Sequence, residues 1–374
     1  MKDKLQWAVV IFASLVLGGA AMAGINAAFF DDSSSGGGTA VIQQATTDTS
    51  TGVTNTTPSD VADLYDQVSP SVVRIGATNS TRNAGGVGSG VVIDKSGHIL
   101  TNNHVVDGAT DIDVTFSDGS VVTAKLLGTD PGNDLAVIQV DVPSAKLHPA
   151  TLGDSTKVRA GEFVIAVGNP FDIQGSVTQG IVSGIGRTLR ESGGRPLRQL
   201  IQSDAAINPG NSGGGLFNSK GQLIGITTAI ENPSGDRVFV GIGYAVPVET
   251  AKRFLPDMLV GAKIDHPRLG IGLQDVTPAV ADSLGLSIDH GVLIASVETN
   301  SAAARAGLKG GLTKASPGDI VVSIDGTEIK SYEDLANYID TKKVGDKVSV
   351  KINRAGKEMT VEVTLEAWKI GNSA

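Results

Sequence analysis

From residue 61 to about residue 260 the chain breaks into short β-branched runs, each cut off by turn residues before a helix could establish itself. "SVVRIGA", "GSGVVID", "IDVTFSD", "SVVTAKLLG", "LAVIQVD", "FVIAVGN" and "LIGITTAI" are the clearest, and "KSGH", "SDGS" and "NSKGQ" punctuate them. Val, Ile and Thr fit a pleated, half-buried surface. Many short strands separated by Gly, Asn and Asp turns predict an all-β barrel or sandwich. Helices are expected at "DVADLYDQV" near its start and "VETAKRFLPDML" near its end. From about residue 266 the pattern changes. "GVLIASV", "DIVVSIDG", "KVSVKINR" and "EMTVEVTL" read as strands around two helical stretches, "SAAARAGL" and "SYEDLANYID". This is an α+β unit of ordinary domain size, and no internal repeat relates it to the first.

The N-terminus places these units. Lys2 and Lys4 precede an uncharged, largely apolar stretch from Leu5 to Phe30. Such a run is long enough to span a bilayer, and the lysines favour a cytoplasmic N-terminus. "AMA" at Ala21–Ala23 offers the alternative of a cleaved signal peptide. The run continues past it to Asp31 and Asp32, which favours residues 1–32 as a single-pass membrane anchor. Either way the remainder is expected outside the cytoplasm: on the cell membrane, or secreted or periplasmic after cleavage. Residues 33–60 are rich in Ser, Thr and Gly with no aromatic residue, a composition that reads as a flexible linker. The chain has 374 residues, a net charge of −9 and no cysteine. A nucleic-acid partner is therefore not expected, and disulfides, thiolate zinc sites and a cysteine nucleophile are excluded.

"INPGNSGGGLF", residues 207–217, sets one serine, Ser212, among four glycines. Glycine loses the most conformational freedom on folding. A surface hairpin is one explanation. The other is a nucleophile loop whose backbone N–H groups converge on a reacting oxygen. A serine nucleophile needs a base held in the right tautomer. Of five histidines, His148 and His266 each precede proline, and His290 lies in the second unit. His104, in "ILTNNHVVDG", stands where a β-run meets polar residues, as a base or simply a satisfied strand-end histidine. Asp134, in "GNDLAVIQV", directly precedes a run that reads as fully buried, although Asp is also usual in such a turn. "GGVGSG" at 85–90 is followed by β-branched "VVID" where a dinucleotide site needs a helix. Nothing resembles a catalytic metal motif, and no metal or cofactor is expected. "RTLRESGGRPLRQ" holds four arginines and reads as a solvated loop.

"TNNHVV", "NDLAVI" and "GNSGGGL", in that order, resemble the HtrA/Deg family of serine proteases. The resemblance extends through "GNPF", "VTQGIVSGIGR", "QSDAAINPGNSGG" and "GIGYAVP", and the second unit resembles the PDZ domain those proteins carry. It implies a mainly β chain, with a chymotrypsin-like double β-barrel at 61–262 and a small α+β PDZ domain at 266–367. It also implies Ser212 as nucleophile, His104 as general base and acid, and Asp134 as its orienter. Gly210 and Ser212 would supply the oxyanion-hole amides with Asn211 between them, while Gly213 and Gly214 leave room for the acyl group and the strand behind. Thr228 would support Asp134, and Ile207 and Ile230 would wall an apolar S1 pocket or, alternatively, simply be core. The arginine-rich segment corresponds to a loop that communicates with the PDZ domain. Leu269, Gly270, Ile271 and Gly272 of "RLGIGL" would cap a peptide's C-terminal carboxylate. "AGLKGGLTKASPGDIV" is longer than the usual connection there. The family precedent is a homotrimer acting on unfolded or mislocalised proteins.

Overall fold

The computed structural model describes residues 61–80, 84–169, 175–189, 195–208, 210–230 and 239–368, without the side chains of Ala84, Ala229 and Ile230. The expected anchor and linker lie outside these residues. Among the described residues no helix is long and apolar enough to cross a membrane.

Six strands close the first barrel: β1 (Val72–Asn79), β2 (Ala84–Val92), β3 (His98–Thr101), β4 (Asp111–Thr115), β5 (Val121–Asp130) and β6 (Leu135–Val140), in the order β1-β2-β3-β6-β5-β4. On β4 the outward Asp111 and Asp113 alternate with buried Ile112 and Val114, the period-two pattern of a strand with one wet face. On β6 the alternation vanishes because both faces are covered. Ala136, Ile138 and Val140 fill the barrel interior. Leu135 and Val137 turn to a second core between the barrels.

The second barrel runs β8 (Phe163–Gly168), β9 (Ser176–Leu189), β10 (Leu197–Ser203), β11 (Gly215–Asn218), β12 (Gln222–Ile230) and β13 (Gly243–Pro247). Its order is β11-β8-β9-β10-β13-β12, closed by β11–β12 pairing, and β7 (Thr151–Leu152) adds in parallel to β12. The longest strand, β9, has no continuous β-branched run. Its glycines serve close approach instead, since a Cβ at Gly180 would come 2.3 Å from Asp204 Oδ1. The inter-barrel core joins Val91, Leu100 and Leu135 to Ile165, Leu200 and Phe217, and helix Val248–Leu259 covers it through Val248, Ala251 and Met258.

The C-terminal sheet orders Ile271–Asp275, Val292–Val297, Ile320–Ile324, Lys347–Arg354 and Lys357–Thr364. Helix Tyr332–Asp340 starts in a capping box, with Ser331 and Asp334 each accepting the other's backbone N–H. The long connection forms a small hairpin of Leu312–Thr313 with Ser316–Pro317.

The "RTLRESGGRPLRQ" segment departs from the expected solvated loop. Residues 190–194 lie outside the described ones, but Arg195 is 7% exposed. It donates to Gly132 O at 2.6 Å and Asn133 Oδ1 at 3.0 Å, and pairs with Asp340 at 2.7 Å. Arg198 reaches the same Asp340 at 3.3 Å. Beside them Asp130 is fully buried, with His266 Nε2 at 2.6 Å, Gly132 N at 3.1 Å and Asn133 Nδ2 at 2.7 Å. The barrel-to-sheet junction is thus a buried polar network, in which removing one partner strands another. His266→Ala should destabilise the protein by about 3 kcal/mol, read as a lower urea midpoint. A midpoint unchanged from wild type would show that the Asp130 contact holds nothing.

Candidate active site

His104 sits in the short helix Asn103–Val106, entered directly from β3. That placement lets both its backbone and its ring face the turn between β5 and β6. His104 N donates to Asp134 Oδ1 at 2.9 Å, and Nδ1 lies 2.8 Å from Oδ2. Asn102 Nδ2 holds the Asp134 carbonyl at 2.9 Å. Thr228 Oγ1, from β12 of the other barrel, also donates to Asp134 Oδ2. Asp134 itself has φ +53°, a left-handed conformation that Asp tolerates better than most residues. Its side chain is 11% exposed and that of His104 is 49% exposed. One edge of the imidazole is therefore locked on a carboxylate while much of the ring faces solvent.

Ser212 lies in the turn before β11, and its Oγ donates to Thr228 O at 3.2 Å. The loop amides divide into two sets. Asn211 N, Gly213 N and Gly214 N donate to Asn208 O, Thr227 O and Asn211 O. Among the described residues no backbone acceptor takes the Gly210 or Ser212 amide.

The flanking glycines pack closely, and the strand expected behind Gly214 is β8. Gly213 has φ +84°, and a Cβ there would come 2.1 Å from Ser89 O. At Gly214 it would come 2.4 Å from Val167 O. Ile207 is 2% exposed and packs on β13, where a Cβ at Gly243 would approach its Cδ1 to 2.7 Å. The side chain of Ile230 lies outside the described residues. Asn102, Thr101 and Ser89 were not singled out from the sequence. Thr101 and Asn102 stand in "TNNHVV" and Ser89 in "GGVGSG", but their hydrogen bonds to the site appear only once the barrel registers are known.

A second concavity of about 290 Å³ lies between the 268–273 segment and helix Tyr332–Asp340, with Leu269, Ile271, Leu335 and Ile339 among its walls. Gly270 has φ +77°, and a Cβ there would come 2.4 Å from Ser301 Cβ. Gly272 continues the backbone edge of this groove, and Arg198 and Pro196 of the second barrel complete its rim.

Residues 88–226 match the family model of the trypsin-like peptidase domain, and residues 267–365 that of the PDZ domain. A trypsin-like barrel pair joined to a PDZ sheet is the class that fold and site define. A probable periplasmic serine endoprotease DegP-like of Brucella suis is 40% identical over 280 residues, 75% of this chain and 52% of that protein. The chloroplastic Protease Do-like 1 of Arabidopsis thaliana is 41% identical over 286 residues, covering 75% and 64%. The solved structure of the HtrA-type protease AlgW with tripeptide aligns with a TM-score of 0.72 at 34% identity, covering 84% of this chain and 99% of that one. The chain belongs to the HtrA/DegP family of serine proteases. It spans about half the length of the Brucella relative.

Two glycine substitutions separate strain from collision. Gly119→Ala, at φ +79° with nothing within 4 Å, should cost only the left-handed penalty of about 1–2 kcal/mol. Gly213→Ala should cost about 4 kcal/mol or more and leave few titratable active sites. Equal melting temperatures for the two variants would contradict this account of the loop.

Proposed function

We propose that the chain is a serine endopeptidase working through Ser212, His104 and Asp134. The observation that carries this reading is the Asp134 carboxylate, which meets both the backbone and the ring of His104. A carboxylate on Nδ1 puts the imidazole proton there and leaves Nε2 to take the proton of Ser212. Ser212 Oγ then attacks the scissile carbonyl, and His104 returns the proton to the leaving amine. The developing oxyanion is held by the Gly210 and Ser212 amides, with Asn211 shaping the loop between them. Thr228 fixes the far side of Asp134. Ile207 and Ile230 wall an apolar pocket suited to small aliphatic P1 side chains. No metal or cofactor takes part.

Residues 61–262 are proposed as the protease domain and 266–367 as the PDZ domain. Leu269, Gly270, Ile271 and Gly272 would receive a peptide's C-terminal carboxylate, while the peptide adds a strand beside 271–275. The AlgW structures are described as holding a tripeptide or a decapeptide, which supports peptides as the ligand class. The substrates are unfolded or mislocalised proteins, and the assembly is a homotrimer. Residues 1–32 tether the enzyme to the membrane with the catalytic unit outside the cytoplasm. The alternative is a periplasmic enzyme released by signal cleavage, and the Brucella relative's description as periplasmic supports it.

Ser212→Ala should remove casein hydrolysis by several orders of magnitude with no change in melting temperature. Activity within tenfold of wild type would reject Ser212 as nucleophile. A fluorescent peptide with a hydrophobic free C-terminus should bind the Ser212→Ala protein. Amidating the terminus, or Gly270→Leu in the same background, should abolish that binding. Unchanged affinity for the amidated peptide would remove the carboxylate role from residues 269–272.

A further inference from the structure

β2 reads "AGGVGSGVV" and contains one hydroxyl, on Ser89, which has no exposed surface. A buried hydroxyl has to find partners. This one finds both outside its own barrel. Ser89 Oγ donates to Gly210 O at 2.7 Å and accepts from Asn169 N at 2.8 Å. The backbone of the same residue also reaches across, with Ser89 N donating to Ser212 O at 2.8 Å. Behind it Thr101 Oγ1 donates to Ser89 O at 2.7 Å and fixes the strand. One residue of the first barrel thus ties down both ends of the Gly210–Asn211–Ser212 segment and the residue that follows β8.

The anchored carbonyl matters because of what Gly210 is. With φ +96° and no Cβ, Gly210 takes a backbone conformation that residues with a side chain rarely adopt. An oxyanion hole requires its donor amides to hold one direction. Fixing the Gly210 C=O pins the Gly210–Asn211 peptide plane, and Ser89 N on Ser212 O pins the plane after Ser212, so the Asn211–Ser212 peptide that carries the Ser212 N–H is held from both sides. The neighbouring contact is equally close, since a Cβ at Gly168 would come 2.5 Å from Asn211 Oδ1.

We propose that Ser89 is a positioning residue of the oxyanion hole. Its hydroxyl holds the Gly210 carbonyl and its amide holds the Ser212 carbonyl, so that the Ser212 N–H between them faces the reacting carbonyl, and the Asn169 amide orients that hydroxyl by occupying its acceptor side. Ser89 touches no substrate and acts only through the backbone of the Gly210–Ser212 segment. The inference rests on Ser212 and Gly210 having the roles proposed above. It goes further by giving Asn169, the residue that follows β8, a hydrogen-bonded hold on transition-state stabilisation.

The test uses the full chain with Ser89→Ala, and Ser212→Ala beside it as the check on the underlying reading. The kcat of Ser89→Ala, normalised to titrated active sites, should fall roughly 10–100-fold, short of losing a donor outright. KM should stay within about threefold, because ground-state binding makes little use of the oxyanion hole. Affinity for a peptidyl boronic acid, which mimics the tetrahedral state, should fall by the same factor as kcat/KM. Ser89→Cys, which keeps a weak donor, should fall between wild type and Ser89→Ala, and it carries the same test if Ser89→Ala does not fold. A merely structural role would lower the titratable fraction and the melting temperature while leaving kcat per active site and boronate affinity unchanged. That result would overturn the proposal. Residual activity in Ser212→Ala would instead overturn the reading beneath it.

Discussion

The Asp134 carboxylate is the interaction on which the rest of the site depends. It accepts from His104 N, from Thr228 Oγ1 and from the His104 ring, while Asn102 holds its carbonyl. These partners come from both barrels, so the carboxylate is satisfied only when the barrels are docked in one register. Inter-barrel packing of Leu135 and Val137 against Ile165, Leu200 and Phe217 supplies that register. The apolar core therefore sets the geometry, and the polar contacts specify it.

The same β5–β6 turn faces the C-terminal sheet at its other end. Asp130, four positions before Asp134, is buried against His266, and Gly132 and Asn133 bind Arg195, which pairs with Asp340. Asp340 ends the helix that forms one wall of the peptide-sized groove. The groove and the proposed triad thus share a scaffold of backbone turns and buried ion pairs. Such a network is stiff when complete and costly when one member is lost.

Much of this was legible in the sequence. The barrel strands announced themselves through β-branched runs and turn residues, and "VETAKRFLPDML" became the helix Val248–Leu259 residue for residue. His104, Asp134 and Ser212 could be picked out because each motif stands at the end of a strand, where chemistry meets scaffold. Strand β9 was harder to read, because glycines required by close approach dilute its pattern. Arg195 and His266 looked like solvated or incidental residues, since their partners lie 62 to 145 positions away in the chain. Gly213 was expected to leave room for an acyl group and the strand behind, but sequence could not say that the neighbours would be Ser89 of β2 and Thr101 of β3. Local pattern shows which residues can act, whereas long-range register decides which ones they touch.

The central claim is that His104, held by Asp134, activates Ser212. Labelling with a phosphonyl fluoride followed by peptide mass mapping tests it most directly, because the reagent reports nucleophilicity without needing a natural substrate. The account predicts one adduct, on Ser212, forming rapidly in the wild-type chain and slowed by orders of magnitude in His104→Ala. An adduct at any other residue, or labelling of His104→Ala at the wild-type rate, would contradict it.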